Sequence, residues 1–144
     1  MILVDTNILL YAKDSTAPQH QAARRWWDAL LSSGDEVALC WPVLTAFLRI
    51  VTHPKVYRQP LTTTEAAVEV DRWLAHPTVR VLRPTDEHWK SFRDLLGKGQ
   101  ANANLVNDAH LAALAIEHNA KLASTDADFA RFPGLRWVNP LASR

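Results

Sequence analysis

Short apolar runs alternate with longer stretches of helical periodicity along this chain, and that alternation constrains the fold more than any other feature of the sequence. Runs of three or four apolar residues are too brief for a helix, and strands separated by helix-length segments close as a parallel sheet with crossover helices. The strand candidates are residues 2–4, 37–40, 79–82, 122–124 and 136–138. The first intervening helix, 8–13, has Thr6 or Asn7 as its cap. The second has Pro18 at its first position and Gly34 as its stop, with Ala23, Trp27, Leu30 and Leu31 on its apolar face. Pro42 opens a helix through Val51, and Pro54 lies just beyond it. Thr62 and Glu65 form a capping box for a helix that carries Val70, Trp73 and Leu74 on one side and ends at His76-Pro77. Thr85 caps a helix that stops at Gly97, and Asn107 caps another through Glu117, closed by a left-handed Asn119. Residues 98–106 read as a polar loop. The expected architecture is α/β, with five short parallel strands flanked by helices.

At 144 residues the chain is expected to form a single domain, residues 1–144, with 141–144 as a frayed tail. Its net charge of +1 means that any polyanion site must come from local arrangement, not bulk charge. The lone cysteine, Cys40, excludes an intramolecular disulfide framework and a cysteine-based zinc site, as expected in a reducing cytoplasm. No apolar run approaches the ~20 residues that span a bilayer. No basic, cleavable leader precedes Asp5, so the expectation is a cytoplasmic protein with no membrane partner.

In a parallel α/β unit, strand C-termini and helix N-termini share one rim of the sheet, where ligands bind. Asp5 closes the first strand, Asp126 and Asp128 follow the fourth, and Asp108 lies in the first turn of the helix before it. Chain topology alone sends all four to that C-terminal edge. At ~4 Å and an effective dielectric of about 20, each like-charged pair repels by roughly 4 kcal/mol. Converging carboxylates therefore take up protons or hold a cation. Oxygen ligands without cysteine or a histidine pair favour Mg²⁺, Mn²⁺ or Ca²⁺. Such a site can activate water against a phosphodiester. Taken singly, each acid also has a plainer role as a cap or turn residue.

Three ordered motifs carry a resemblance across nearly the whole chain. Ile2-Leu3-Val4-Asp5-Thr6-Asn7 resembles the opening of PIN domains. Asn107-Asp108-Ala109-His110-Leu111 resembles their second acidic motif, and Ser124-Thr125-Asp126-Ala127-Asp128-Phe129 the third. Spacing and length are similar to those of VapC-type toxins of toxin–antitoxin pairs. The resemblance implies a five-stranded parallel sheet with strands one and four adjacent at its centre. It also implies Mg²⁺- or Mn²⁺-dependent endoribonuclease activity on structured RNA such as tRNA or ribosomal RNA, a homodimer, and a cognate antitoxin. Asp5, Asp108 and Asp126 are then the catalytic carboxylates, and Asp128 joins them as a metal ligand. One departure stands out. Many PIN domains carry a glutamate early in the helix after strand two; Thr45-Ala46-Phe47-Leu48-Arg49 puts Ala46 there.

Thr6, Asn7 and Thr125 flank the acids and can orient metal-bound water; cap and turn chemistry is an equal reading. Arg49 can hold a substrate phosphate or pair with an acid. Lys98, Gln100, Asn102 and Asn104 precede Asp108 in the loop, within reach of an RNA backbone. Trp26 and Trp27 cannot face the same way, so one is a candidate exposed aromatic for a partner groove. His110 is a weaker candidate base. Two alternatives remain: an Asp5-nucleophile phosphatase, disfavoured because Asn7 stands where a second aspartate is wanted, and a PIN-like scaffold with weakened catalysis that binds RNA or a partner.

Overall fold

β1 (Ile2–Val4) occupies the middle of the sheet because Leu3 and Val4 carry apolar side chains to both faces, and both are fully buried. The structure is a computed structural model and describes residues 1–142. β1 pairs in parallel with β2 (Val37–Leu39) on one side and β4 (Lys121–Ala123) on the other. β3 (Val79–Val81) and β5 (Trp137–Val138) complete the five-stranded order β3-β2-β1-β4-β5. The register Leu3 to Leu122 and Val4 to Ala123 sets the ends of β1 and β4 side by side, which fixes where Asp5 and the residues after Ala123 emerge. The order in which successive strands are added reverses between β1 and β4, the position where parallel sheets bind ligands.

Six α-helices cover the two faces: α1 (Thr6–Lys13), α2 (His20–Ser32), α3 (Trp41–Val51), α4 (Thr63–Ala75), α5 (His88–Lys98) and α6 (Leu105–Glu117). α6 is buried along most of its length, as its run of small residues permits: Ala109, Ala112, Ala113 and Ala115 let it lie close to the sheet. On the other side Trp73 meets Phe47 edge-on at 4.7 Å and Trp27 at 5.9 Å, an aromatic cluster joining α2, α3 and α4. The Thr62–Glu65 capping box forms with both reciprocal hydrogen bonds. Asn119 closes α6 at φ 54°, and Gly34 at φ 84° lies between α2 and β2.

Several boundaries differ from the sequence expectation, each for a reason visible in the contacts. Asp5, not Thr6 or Asn7, caps α1. α2 begins at His20, because Pro18 lies in a turn closed by His20 N–H to Ala17 C=O. α5 does not start at Thr85 or stop at Gly97. Thr85 donates both its N–H and its hydroxyl to Glu117, and the helix continues through Gly97, where an added Cβ would meet open space, to Lys98. The chain leaves the helix at Gly99, where a Cβ would lie 2.6 Å from the Phe132 ring. α6 starts at Leu105, so Asn107 is inside its first turn and is not its cap. Leu74 is an exposed residue of α4. Trp27 is buried and Trp26 packs half-buried against the core, so neither is the free indole; Trp41 and Trp89, at 52% and 61% exposure, are. Leu141 packs against the core, while residues 143 and 144 of the expected tail lie outside the described residues.

Candidate metal centre

The site is built at the C-terminal ends of the two central strands. β1 ends into Asp5, whose N–H donates to Ala123 C=O at 2.9 Å, locking the end of β1 to the end of β4. Both oxygens of the Asp5 carboxylate are engaged: Oδ1 accepts from Thr6 N–H at 2.8 Å and Oδ2 from the Ser124 hydroxyl at 2.7 Å. Ser124, fully buried, is the hub of this corner. Its Oγ also accepts from Asn7 Nδ2 at 3.2 Å and from Asp126 N–H at 3.0 Å. A single hydroxyl thus ties together the start of α1, the carboxylate of Asp5 and the backbone that carries Asp126. The sequence places Ser124 at the end of strand four and within the third acidic motif, with no role of its own. The signal available was a serine at the strand end directly beside Asp5 in a parallel pair.

After Asp126 the chain enters a short 3₁₀ helix (Ala127–Arg131), whose N-cap is Asp126 itself: its Oδ1 accepts from Asp128 N–H at 2.9 Å. That turn brings Asp128 back toward Asp126, and α6 supplies Asp108 from its first turn. One carboxylate oxygen from each of Asp108, Asp126 and Asp128 lies within 4.8 Å of the others. Asp5 stands beside this trio, not within it, and couples to it electrostatically. Burial first, then the charges of Asp126, Asp5 and Asp128, push Asp108 up to about 6. Asp5 is also raised, by burial, with Asp126 adding to it against the hydrogen bonds from Ser124 and Thr6. At that spacing and an effective dielectric of about 20, each ionised pair costs about 3–4 kcal/mol. An all-oxygen donor set under this repulsion fits a hard divalent cation, which would neutralise the charge without protonation.

The flanking residues divide. Thr6 is buried and donates its hydroxyl to Val43 C=O at 3.2 Å, fixing α1 to α3. Asn7 reaches Ser124, and its Oδ1 is buried with no partner among the described residues. Thr125 sits half-buried between Ser124 and Asp126. Arg49 is exposed on α3 and lines a cleft of about 430 Å³ with Asp5, Asp108 and Ala46. Gln100, Asn102 and Asn104 are exposed just ahead of α6, while Lys98 pairs with Asp94 at 3.0 Å. Arg131, which sequence reasoning passed over, donates to Gly99 C=O at 2.9 Å and lies 3.6 Å from Asp128.

His110 turns away from the acids. Its Nδ1 is 2.8 Å from His88 Nε2, and His88 in turn bonds the buried carboxylate of Glu117. Burial and the neighbouring His88 lower the His110 pKa. Glu117 is lowered too: burial opposes ionisation, but hydrogen bonds from Thr85 and His88 outweigh it. This chain of side chains joins α5 to α6 and belongs to packing.

The PIN domain family model matches residues 2–135. Ribonuclease VapC37 of Mycobacterium tuberculosis (strain ATCC 25618 / H37Rv) is 44% identical over 142 residues, covering 99% of both chains. Ribonuclease VapC33 of the same strain is 40% identical, covering 98% of this chain and 99% of its own. Among solved structures, VapBC2 from Rickettsia felis bound to a DNA fragment from its promoter superposes with TM-score 0.70 at 23% identity, covering 96% and 98%. Mycobacterium tuberculosis VapC20, a sarcin–ricin loop cleaving toxin, does so with TM-score 0.66 at 19% identity, covering 94% and 99%. The chain belongs to the PIN-domain family, in its VapC ribonuclease branch.

Proposed function

We propose that this protein is an Mg²⁺- or Mn²⁺-dependent endoribonuclease, the toxin of a toxin–antitoxin pair, that hydrolyses phosphodiester bonds in structured RNA such as tRNA or ribosomal RNA. The observation that carries the reading is the convergence of Asp108, Asp126 and Asp128 within 4.8 Å, with Asp5 held beside them. Full-length relatives named VapC ribonucleases support the activity, and the likeness to VapBC structures supports an antitoxin partner. A homodimer in the cytoplasm is part of the same proposal.

Asp108, Asp126 and Asp128 would hold the cation, with Asp5 as a fourth carboxylate on its β1 side. Bound there, a divalent cation supplies the positive charge that polarises a phosphoryl oxygen and lowers the pKa of a coordinated water. The chain's own contribution is preorganisation. Ser124 orients Asp5 and at the same time fixes the backbone of Asp126. The Asp126 cap on Asp128 N–H holds the following turn, and Arg131 keeps Asp128 at the edge of the cluster. None of these groups must reorganise when substrate arrives.

Ala46 supports a second reading, a catalytically weakened scaffold that binds RNA or a partner. It lines the cleft beside Asp5 and Asp108, where a glutamate would add a carboxylate. Antitoxin-free protein incubated with total tRNA, then ribosomal RNA, in Mg²⁺ or Mn²⁺ separates the two. Discrete products that vanish with EDTA support the nuclease. Intact RNA bound by folded protein supports the scaffold.

A further inference from the structure

α3 presents a stripe to solvent on the cleft side of the candidate site. Trp41, Thr45 and Arg49 recur at every fourth residue, so they share one helix face, and all three are exposed. Their Cα atoms span about 12 Å, a length that a few nucleotides of single strand cover. Trp41 has 52% of its surface free, although apolar indoles elsewhere in the chain, Trp27 and Trp73, are buried. The Arg49 guanidinium forms no ion pair among the described residues, whereas Lys98 and Arg131 near the same rim are each paired. The cleft of about 430 Å³ below this stripe has Ala46 and Arg49 on one wall and Asp5 and Asp108 on the other. That volume lies in the range of small-ligand pockets. Residue 46, ending at Cβ, adds no further side-chain atoms to that space.

We propose that the Trp41–Arg49 face of α3 and the cleft over Ala46 bind an unpaired RNA segment beside the scissile phosphate. Trp41 stacks a base, Arg49 holds a phosphate, and the space over Ala46 takes the intervening nucleotide. A base can lie on an indole only with a face free, so this surface selects single-stranded loops or bulges over duplex. The chain's net charge of +1 gives little bulk attraction for RNA, so an unpaired cation on the same helix face as a stacking platform is what makes a local track. The proposal rests on the ribonuclease reading for its scissile phosphate, but its test is a binding measurement that needs no cleavage.

The experiment measures the affinity of a fluorescent 10-nucleotide oligoadenylate, and of its duplex with oligouridylate, in EDTA over a salt series. The protein carries Asp108→Asn so that no RNA is consumed. In that background Trp41→Ala should weaken single-strand binding by about 5- to 100-fold with an unchanged salt slope, and Trp41→Phe should restore it. Arg49→Gln should weaken binding and lower the slope of log K against log salt by about 0.7. Ala46→Glu should weaken it by filling the cleft with a carboxylate. Trp89→Ala, an equally exposed indole on α5, should bind as its parent does. Duplex binding should respond to none of these indole changes. Unchanged single-strand affinity in folded Trp41→Ala and Arg49→Gln overturns the proposal. So does a Trp41→Ala effect confined to sedimentation, dimer to monomer with RNA affinity intact, which would assign the face to a second copy of the chain. A parallel assay of the same substitutions with Asp108 intact, in Mg²⁺ or Mn²⁺, separates the two readings. Binding losses without wild-type cleavage sink the nuclease alone, and cleavage with kcat/KM untouched by Trp41→Ala and Arg49→Gln sinks the RNA track alone.

Discussion

The hydroxyl of Ser124 donates to the Asp5 carboxylate at 2.7 Å across the junction of β1 and β4. Because the same oxygen receives Asp126 N–H at 3.0 Å, the two carboxylates closest to the central strands are positioned through one buried atom. Removing it acts on both. Ser124→Ala should destabilise the fold by about 1–3 kcal/mol, since Asn7 Nδ2 and Asp126 N–H lose their acceptor. It should also raise the Asp5 pKa further, because the lost bond favours the charged form. The acid limb of the pH–kcat/KM profile should then move to higher pH. Urea titration and the pH profile check the two effects separately.

Asp108, pushed up to about 6, makes the metal-free protein sensitive to pH in a defined direction. A carboxyl whose folded pKa exceeds its unfolded value, near 3.9, stabilises the fold fully below that value, and the contribution is lost as pH rises through about 6. Without divalent cation, Asp108→Asn should therefore melt above the wild type at pH 8. The gap should close toward pH 4. Each kcal/mol of repulsion relieved corresponds to about 3 °C in a domain of this size. Saturating Mn²⁺ should reverse the order, because only the wild type gains from binding. Thermal melts with and without Mn²⁺ at three pH values read this out.

Gly99 is the one glycine whose missing side chain is a packing requirement. A Cβ there would lie 2.6 Å from the Phe132 ring and 2.9 Å from Leu95 C=O. Gly99→Ala should cost about 1–3 kcal/mol by overpacking. The carbonyl of Gly99 also anchors Arg131, which faces Asp128, so the same change should weaken Mn²⁺ affinity. Gly97→Ala, in open space within α5, should instead be neutral or slightly stabilising. Chemical denaturation of the pair distinguishes the roles.

His88 shields a buried acid. The Glu117 side chain is 3% exposed and takes hydrogen bonds from His88 and from both donors of Thr85. His88→Ala should cost about 1–3 kcal/mol at neutral pH by leaving the carboxylate short of a partner. Glu117 is held below its ordinary value, so its stabilisation is present above the unfolded pKa and is lost as pH falls through the folded one. The difference between variant and wild type should shrink in acid. Cleavage rates should change far less than stability, since the contacts of His88 with His110 and Glu117 lie between α5 and α6 and involve none of the rim aspartates.

The rim acids were legible in the sequence because only chain topology was needed: a strand ends at Asp5, another just before Asp126, and a helix begins around Asp108. The capping box at Thr62 and the left-handed Asn119 were legible for the same reason, being local chemistry. What escaped reading depended on contacts far apart in the chain. Gly97 looks like a helix stop until Leu95 and Leu96 are seen packing the last turn inward, and the true exit at Gly99 is set by Phe132. Thr85 looks like a cap until Glu117, thirty-two residues on, claims it. Ser124 shows as a hub only once the pairing of β1 with β4 sets it beside Asp5, a partner 119 residues away. The adjacency of Trp26 and Trp27 makes one of them a candidate free indole, but Trp27 is buried and Trp26 packs partly buried against the core, which only the packing shows.

Single-turnover cleavage of the susceptible RNA as a function of Mn²⁺ concentration, for the wild type and Asp108→Asn, reads out whether these carboxylates hold a catalytic metal. The expected result is saturable Mn²⁺-dependent cleavage by the wild type, abolished by EDTA, and a loss of at least 10²-fold in Asp108→Asn at every concentration. Cleavage that persists in EDTA, or that survives Asp108→Asn at the wild-type rate and Mn²⁺ midpoint, would contradict a metal-dependent nuclease centred on these carboxylates.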